Sequence, residues 1–122
     1  MAYSGPVADP VVANAAGAEP GAASVLSGMR VLELAAMVAG PYCTKILGDL
    51  GADVIKIEPP EGDESRRAGP FAGGRPGPDR SLLFLHLNTS KRSCCIDMST
   101  PEGIERFVGL AAQSEAMQPI RL

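Results

Sequence analysis

Two short apolar runs, separated by a segment that favours a helix, constrain the fold of this chain more than any other feature. MRVLELA begins at Met29 and DVIKIE at Asp53, and both have the leucine and β-branched content of buried strands. Between them, Pro41 suits a first helical position, where its missing N–H needs no partner, and Gly51 suits the C-terminal cap. The pattern predicts a βαβ unit, with a helix over residues 41–50 and parallel strands joined by a right-handed crossover.

The following residues extend this alternation of strands and helices. Residues 59–78 are rich in glycine, proline and charge, which indicates either a functional loop or a mobile flap. Periodicity does not distinguish strand from helix for residues 82–87. We expect a helix there, because CCIDM at residues 94–98 already has the pattern of the third strand. The sequence therefore predicts an α/β fold of βαβ units with a parallel sheet.

A last helix is expected near the end of the chain. Thr100 precedes Pro101 and Glu102, which is a typical helix start. The apolar residues that fall on one face of this helix are Ile104, Phe107, Val108 and Ala111. A fourth apolar strand should follow, but the chain continues only as EAMQPIRL. We therefore expect a truncated sheet and an aberrant tail over residues 116–122.

Composition excludes several classes of function. A net charge of −3 over 122 residues provides no basic field for nucleic acid or for an anionic membrane. No run is long enough to span a membrane, and the first 25 residues lack the basic start of a signal peptide. The three cysteines fit neither a disulfide framework nor a zinc site. We expect a cytoplasmic protein without a metal, whose small residues leave a disordered arm over residues 1–25.

The Gly40-Pro41 pair after the first strand is a candidate ligand loop. In an open α/β sheet, ligands bind outside the carboxyl ends of the strands, where a helix N-terminus presents free N–H groups to anions. Gly40 permits close approach of a ligand to the backbone, although a plain structural turn explains the same two residues. Neither a GxGxxG nor a P-loop lysine motif is present, so the standard nucleotide fingerprints are absent.

Two pairs of basic residues stand near the predicted strands. Arg66 and Arg67 lie in the 59–78 segment, and Lys91 and Arg92 come immediately before the predicted third strand. Such pairs suit phosphate or carboxylate groups, by a point charge for lysine and by a bidentate fork for arginine. Solvated surface charge is the alternative for each of the four residues.

Two long segments resemble CoA-transferase family III, which includes formyl-CoA transferases, carnitine CoA-transferases and 2-methylacyl-CoA racemases. They are LSGMRVLELAAMVAGPYCTKILGDLGADVIKIEPPEGD, from Leu26, and LNTSKRSCCIDMSTPEG, from Leu87. Residues 26–115 are accordingly assigned to the N-terminal part of the family's large domain. The resemblance implies a Rossmann-like fold, transfer of CoA between an acyl-CoA and a carboxylic acid, and an interlocked homodimer.

The resemblance also implies which residues contact coenzyme A. In the family, the loop before Gly-Pro and the strand after Lys-Arg-Ser touch this ligand, and an arginine follows the Gly-Asp pair. Together with the Gly-Pro loop and the Lys-Arg pair, the expected coenzyme A-binding residues are Val38, Ala39, Gly40, Arg66, Lys91, Arg92, Ile96, Asp97, Met98 and Ser99.

Two departures from the family pattern bear on function. Many members place an arginine directly after the Ile-Glu of the second strand, against the adenine, and this chain has Pro59 there. The family's catalytic aspartate, which attacks the acyl-CoA thioester to form an acyl-enzyme anhydride, matches no residue of this chain. Two alternatives stay open: a fragment of a 2-methylacyl-CoA racemase, and a non-catalytic CoA-binding remnant.

We expect the 122-residue chain alone to show no CoA-transfer activity, because positioning cannot replace the carboxylate nucleophile. The measurement is exchange of labelled CoA between an acyl-CoA and a carboxylic acid, in a preparation free of host transferases. Exchange above that of a mock purification contradicts the prediction.

Overall fold

The structure is a computed structural model that describes residues 24–114 and 116–118. Strands and helices alternate along these residues, and the elements are β1 (Arg30–Glu33), α1 (Ala39–Asp49), β2 (Asp53–Glu58), α2 (Leu82–Leu87), β3 (Lys91–Cys95), α3 (Pro101–Ala111) and β4 (Ala116–Gln118). The arm predicted to be disordered lies outside the described residues except for Ser24 and Val25, and residues 119–122 of the predicted tail also lie outside them. No helix of the described ranges has the length and apolar character needed to cross a membrane.

The four strands form one parallel sheet in the order β3-β2-β1-β4. This confirms the α/β fold that the βαβ pattern predicted. The strands β2 and β3 are added on one side of β1 and β4 on the other, so the strand order reverses beside β1. Ligands of open α/β sheets bind at such a reversal, outside the carboxyl ends of the strands. The loop between β1 and α1 therefore occupies the position where a ligand is expected.

The first βαβ unit matches its prediction closely. The second strand has the predicted bounds, and α1 begins at Ala39, two residues before the predicted start. Pro41 is thus the third helical residue, which is tolerated because the first four N–H groups of a helix have no acceptor within it. Gly51 has a φ of 100° and donates its N–H to the carbonyl of Gly48 at 2.9 Å, so it ends the helix as predicted.

Two strand predictions were wrong. The third strand begins at Lys91, not at Cys94, because lysine and arginine are accommodated inside the sheet by acidic partners. Only one further ladder bond, from the N–H of Ile96 to the carbonyl of Glu58 at 2.9 Å, extends beyond it. A fourth strand is also present, since the backbone at Ala116–Gln118 pairs with β1.

Helix α3 packs on the sheet face opposite α1. The core on that face consists of Leu32, Ile55, Ile57 and Ile96. Phe107, Leu110 and Ala111 of α3 pack against these residues. Two residues predicted to face this core, Ile104 and Val108, are instead 48% and 57% exposed. Gly103 takes the innermost position, where an added Cβ would lie 1.8 Å from the carbonyl oxygen of Asp97. The close approach of these two backbones rotates the helix away from the predicted face.

The two glycines of α3 give a matched pair of substitutions. We expect Gly103→Ala to lower the free energy of unfolding by about 3 kcal/mol or more, because the methyl group meets rigid backbone. Gly109→Ala meets nothing within 4 Å and should raise the free energy of unfolding by about 0.5–1 kcal/mol through helix propensity. Urea unfolding of both variants measures the difference, and equal effects contradict the packing described for Gly103.

Candidate functional site

The β1–α1 loop, residues 34–38, lies at the carboxyl edge of the sheet. No side chain caps the N-terminus of α1, Pro41 has no N–H, and the Tyr42 N–H donates to the Val38 carbonyl at 2.8 Å, so the N–H groups of Ala39 and Gly40 are those left for a ligand. Val38 is 47% exposed and Ala39 is exposed, whereas Gly40 is buried against the sheet. Met37 has a φ of 64°, a left-handed conformation that is uncommon outside glycine.

Beneath this loop lies a buried charge cluster of Glu33, Lys56, Asp63 and Lys91. The Lys56 ammonium is 2.9 Å from Glu33 Oε1 and 2.6 Å from Asp63 Oδ2, and the Lys91 ammonium is 2.8 Å from Glu33 Oε2. The four side chains are at most 2% exposed, and their formal charges cancel. Thr44 of α1 donates a further hydrogen bond to Glu33 Oε2 at 2.6 Å. Burial is tolerated because each charge has a partner within hydrogen-bond distance.

The buried charge cluster also binds the backbone of the loop and of the first helical turn. The Lys56 ammonium donates to the carbonyl of Ala35 at 2.9 Å, and the Lys91 ammonium donates to the carbonyl of Pro41 at 2.8 Å. The N–H of Met37 donates to Asp63 Oδ1 at 3.3 Å. The path of the chain from β1 into α1 is therefore fixed from the inside of the sheet.

Burial and ion pairing act against each other on the titration of this cluster. Burial raises the pKa of Asp63, but the bonds from Lys56 and Ser65 outweigh it and hold that pKa below its ordinary value. Burial lowers the pKa of Lys91, and the facing carboxylate of Glu33 restores only part of the shift. The Asp63 carboxyl group is therefore ionised near neutral pH.

Arg66 is bound by protein groups on several sides. Its Nε and Nη2 donate to Glu58 Oε2 and Oε1 at 2.6 and 2.7 Å, which is a bidentate pair. Its Nη1 donates to the Asp79 carboxylate at 2.8 Å and to the Pro78 carbonyl at 3.0 Å. The guanidinium also lies 3.7 Å from the centre of the Phe84 ring. Arg66 therefore ties the long β2–α2 connection to the end of β2.

A pocket of about 160 Å³ opens at the carboxyl ends of β1 and β2. Its apolar lining comes from the ends of the two strands and the start of the β1–α1 loop, and Pro59 and Arg67 also contribute to its wall. Asp63 lies at the pocket and joins it to the buried charge cluster. The charged residues of the lining are three acids, Glu61, Asp63 and Glu64, and one cation, Arg67.

Comparison with known proteins assigns the chain to a family. A model of CoA-transferase family III matches residues 26–118, which is more than half of the chain. The chain belongs to CoA-transferase family III. The succinate–glutarate CoA-transferase of Agrobacterium fabrum is 48% identical over 81 residues, which are 64% of this chain and 20% of that protein. The human succinyl-CoA:glutarate CoA-transferase is 40% identical over 89 residues, 71% of this chain and 19% of that protein.

Solved structures of similar proteins agree with this assignment. A CaiB/BaiF family protein of Brucella suis has a TM-score of 0.67 and 42% identity, covering 77% of this chain and 25% of that one. A hypothetical protein of Mycobacterium tuberculosis has a TM-score of 0.67 and 34% identity, covering 78% and 25%. The chain thus spans 19–25% of the length of the proteins named here.

Within this member of the family, the structure brings some of the predicted site residues together. Val38, Ala39 and Gly40 form the start of α1, and residues 96–99 follow the carboxyl end of β3 at the same edge of the sheet. Ile96 is buried in the core, whereas Met98 is 39% exposed. Asp97 accepts hydrogen bonds from the N–H and the hydroxyl of Ser99, which hold the pKa of its carboxyl below the ordinary value.

Acidic side chains bind all three of the predicted basic residues. The Lys91 ammonium is inside the buried charge cluster, and the Arg66 guanidinium is held by Glu58. Arg92 Nε donates to Asp53 Oδ1 at 2.7 Å. Asp53 begins β2, so this pair is about 16 Å from the carboxyl edge, the length of the strand. The structure does not bring Arg92 together with the other predicted residues.

Sequence reasoning missed Glu33, Lys56 and Asp63, and it considered Arg67 as an anion-binding residue without including it in the expected coenzyme A site. A signal existed for the first two, since each is a charged residue inside an otherwise apolar strand, and a buried charge requires a partner of opposite sign. Asp63 stands in a polar loop, where nothing in the sequence separates it from its neighbours. In the described part of the chain, no group of three or more histidine, cysteine or acidic side chains is arranged to hold a metal ion.

Glu58 should control part of the acid sensitivity of the fold. Burial raises its pKa, but hydrogen bonds from Arg66, Ser93 and the N–H of Asp63 hold it below the ordinary value of 4.5. Its stabilising contribution is therefore complete above pH 4.5 and is lost as the pH falls through the lowered folded-state pKa.

We expect Glu58→Gln to lower the free energy of unfolding near neutral pH by about 2 kcal/mol, because it removes the charge that Arg66 binds. The variant should also lose stability less steeply than the natural chain on acidification. Urea unfolding over a pH series measures both effects, with the exposed Glu64→Gln as the control. An unchanged acid slope in Glu58→Gln contradicts the assignment.

Proposed function

We propose that this chain binds coenzyme A at the carboxyl edge of its sheet. In this proposal it is the CoA-binding N-terminal part of a protein that moves CoA between an acyl-CoA and a carboxylic acid. The observation that supports the proposal most is the uncapped N-terminus of α1 at the reversal of strand order. Phosphate groups gain there from the free N–H groups and from the helix dipole.

The proposed ligand contacts divide between direct and supporting residues. Val38, Ala39 and Gly40 contact the ligand through the backbone, and Met98 and Ser99 border the site after β3. The direct cation is Arg67, which lines the pocket beside Pro59, where many family members carry an arginine. Its guanidinium is exposed and donates a hydrogen bond to the carbonyl of Glu61 at 3.1 Å.

In the same proposal, the other predicted residues act through the protein. Lys91 and Arg66 hold the β1–α1 loop and the β2–α2 connection in place, since their charged groups are bound by Glu33 and Glu58. Ile96 and Asp97 shape the turn that leads to Ser99. Arg92 stabilises the amino edge of the sheet through Asp53.

The substrates and the assembly of the whole protein are also proposals. Relatives of this chain are named as transferases of succinate and glutarate, or of succinyl-CoA and mesaconate, which supports a short dicarboxylic acid as the partner of the acyl-CoA. From the sequence resemblance we further propose a cytoplasmic, interlocked homodimer that needs no metal and contacts neither nucleic acid nor membrane.

A CoA titration of the chain followed by amide chemical shifts tests the site. We expect shifts at residues 38–42 and 96–99, a Kd no tighter than about 1 mM, equivalent to about 4 kcal/mol, and weaker binding at high salt. Pantetheine, which lacks phosphates, should leave the first turn of α1 unshifted. Shifts confined to other parts of a folded chain contradict the site.

Arg67→Ala separates the proposed cation from the rest of the site. Loss of an exposed cation beside a phosphate should weaken CoA binding about fivefold, or about 1 kcal/mol. Arg75→Ala, at an exposed position outside the pocket lining, is the control and should leave the Kd unchanged. An equal Kd for both variants shows that Arg67 makes no contact with the ligand.

A further inference from the structure

Two residues other than glycine have a left-handed backbone in the described ranges, Met37 and Ser90, each with a φ of 64°. Such a conformation brings Cβ close to the following carbonyl oxygen, so it persists only where the surroundings hold it. Met37 belongs to the β1–α1 loop, two residues before α1 begins, and Ser90 directly precedes β3. The two positions have the same local geometry in different surroundings.

Asp63 supplies the restraint at Met37. Its Oδ1 accepts the Met37 N–H at 3.3 Å, and Met37 is 37% exposed. The same Oδ1 accepts the N–H and the hydroxyl of Ser65 at 2.8 and 2.7 Å, and Oδ2 lies 2.6 Å from the Lys56 ammonium. The carboxylate is therefore oriented from both sides, and the Asp63 side chain is 2% exposed.

We propose that Asp63 is a positioning residue for the ligand site, which acts by holding the Met37 peptide in the left-handed conformation. Reversing the sign of this φ redirects the chain just before Ala39 and turns the first N–H groups of α1 away from the pocket. The inference rests on the proposed function in one respect, namely that these N–H groups receive a phosphate of coenzyme A. The conformational part is independent of any ligand.

The test compares the substitutions Met37→Gly and Ser90→Gly, each made in the natural chain and in the Asp63→Ala variant. A residue with positive φ gives a strong NOE between its own amide and Hα protons. We expect Asp63→Ala to reduce that NOE at Met37 to the weak intensity of a residue with negative φ, and to weaken CoA binding about tenfold. Asp63→Asn keeps an Oδ1 acceptor and should keep the NOE.

Glycine adopts positive φ without the cost that a Cβ imposes. Met37→Gly should therefore restore the amide shifts of residues 38–42 and most of the CoA affinity in the Asp63→Ala background, whereas Ser90→Gly should not. If Asp63→Ala alone does not fold because the buried Lys56 ammonium has lost a partner, the two glycine substitutions are compared in a Lys56→Met/Asp63→Ala background, in which Glu33 still pairs with Lys91. Equal recovery by both glycines, or recovery by neither, overturns the proposal.

The two levels of the hypothesis fail separately. Absence of CoA binding in the natural chain, with the Met37 NOE present and dependent on Asp63, refutes the proposed function and leaves the positioning role intact. Retention of the NOE in a folded Asp63→Ala variant refutes the positioning role, even when CoA binds to the first turn of α1.

Discussion

The ammonium group of Lys56 is the point on which the carboxyl edge of the sheet depends. It is 1% exposed and lies within 2.9 Å of Glu33 and Ala35 and within 2.6 Å of Asp63. Burial of a lone ammonium group is strongly unfavourable, so β2 can bury Lys56 only when all of these partners are in place. Removing either acid leaves a buried charge uncompensated, at a cost of about 3–5 kcal/mol.

The partners of this lysine come from distant parts of the chain. Glu33 ends β1, Asp63 follows β2, and Lys91 begins β3, so the cluster forms only when the three strands are paired in the observed register. The β1–α1 loop is bound by the same groups. Its conformation is consequently a property of the assembled sheet rather than of the Gly40-Pro41 sequence, which by itself specifies only a turn.

The sequence predicted those elements whose evidence is local. Apolar content identified β1 and β2, and the Thr100-Pro101 pair identified the start of α3. The prediction of the third strand failed at Lys91, because a lysine inside a strand cannot be told from a lysine in a loop until its acidic partner in another strand is known. The sequence prediction also failed for the buried face of α3, where the contact of Gly103 with the backbone of Asp97 depends on packing that periodicity does not describe.

The same distinction explains which site residues could be predicted. Backbone positions such as Ala39 and Gly40 follow from the strand, the turn and the helix, and the structure places them at the expected edge. Basic side chains are ambiguous in sequence, because a buried acid and a bound phosphate call for the same residue types.

The acids within the strands resolve that ambiguity. Glu33 and Glu58 are each no more than 5% exposed and must be neutralised inside the protein. Glu33 pairs with Lys56 and Lys91, and Glu58 pairs with Arg66. Once the cations that buried acids require have been assigned in this way, Arg67 is the basic residue in the pocket lining, and its guanidinium is exposed. For this fold, matching strand acids to nearby cations is therefore the step that must precede any assignment of anion-binding residues.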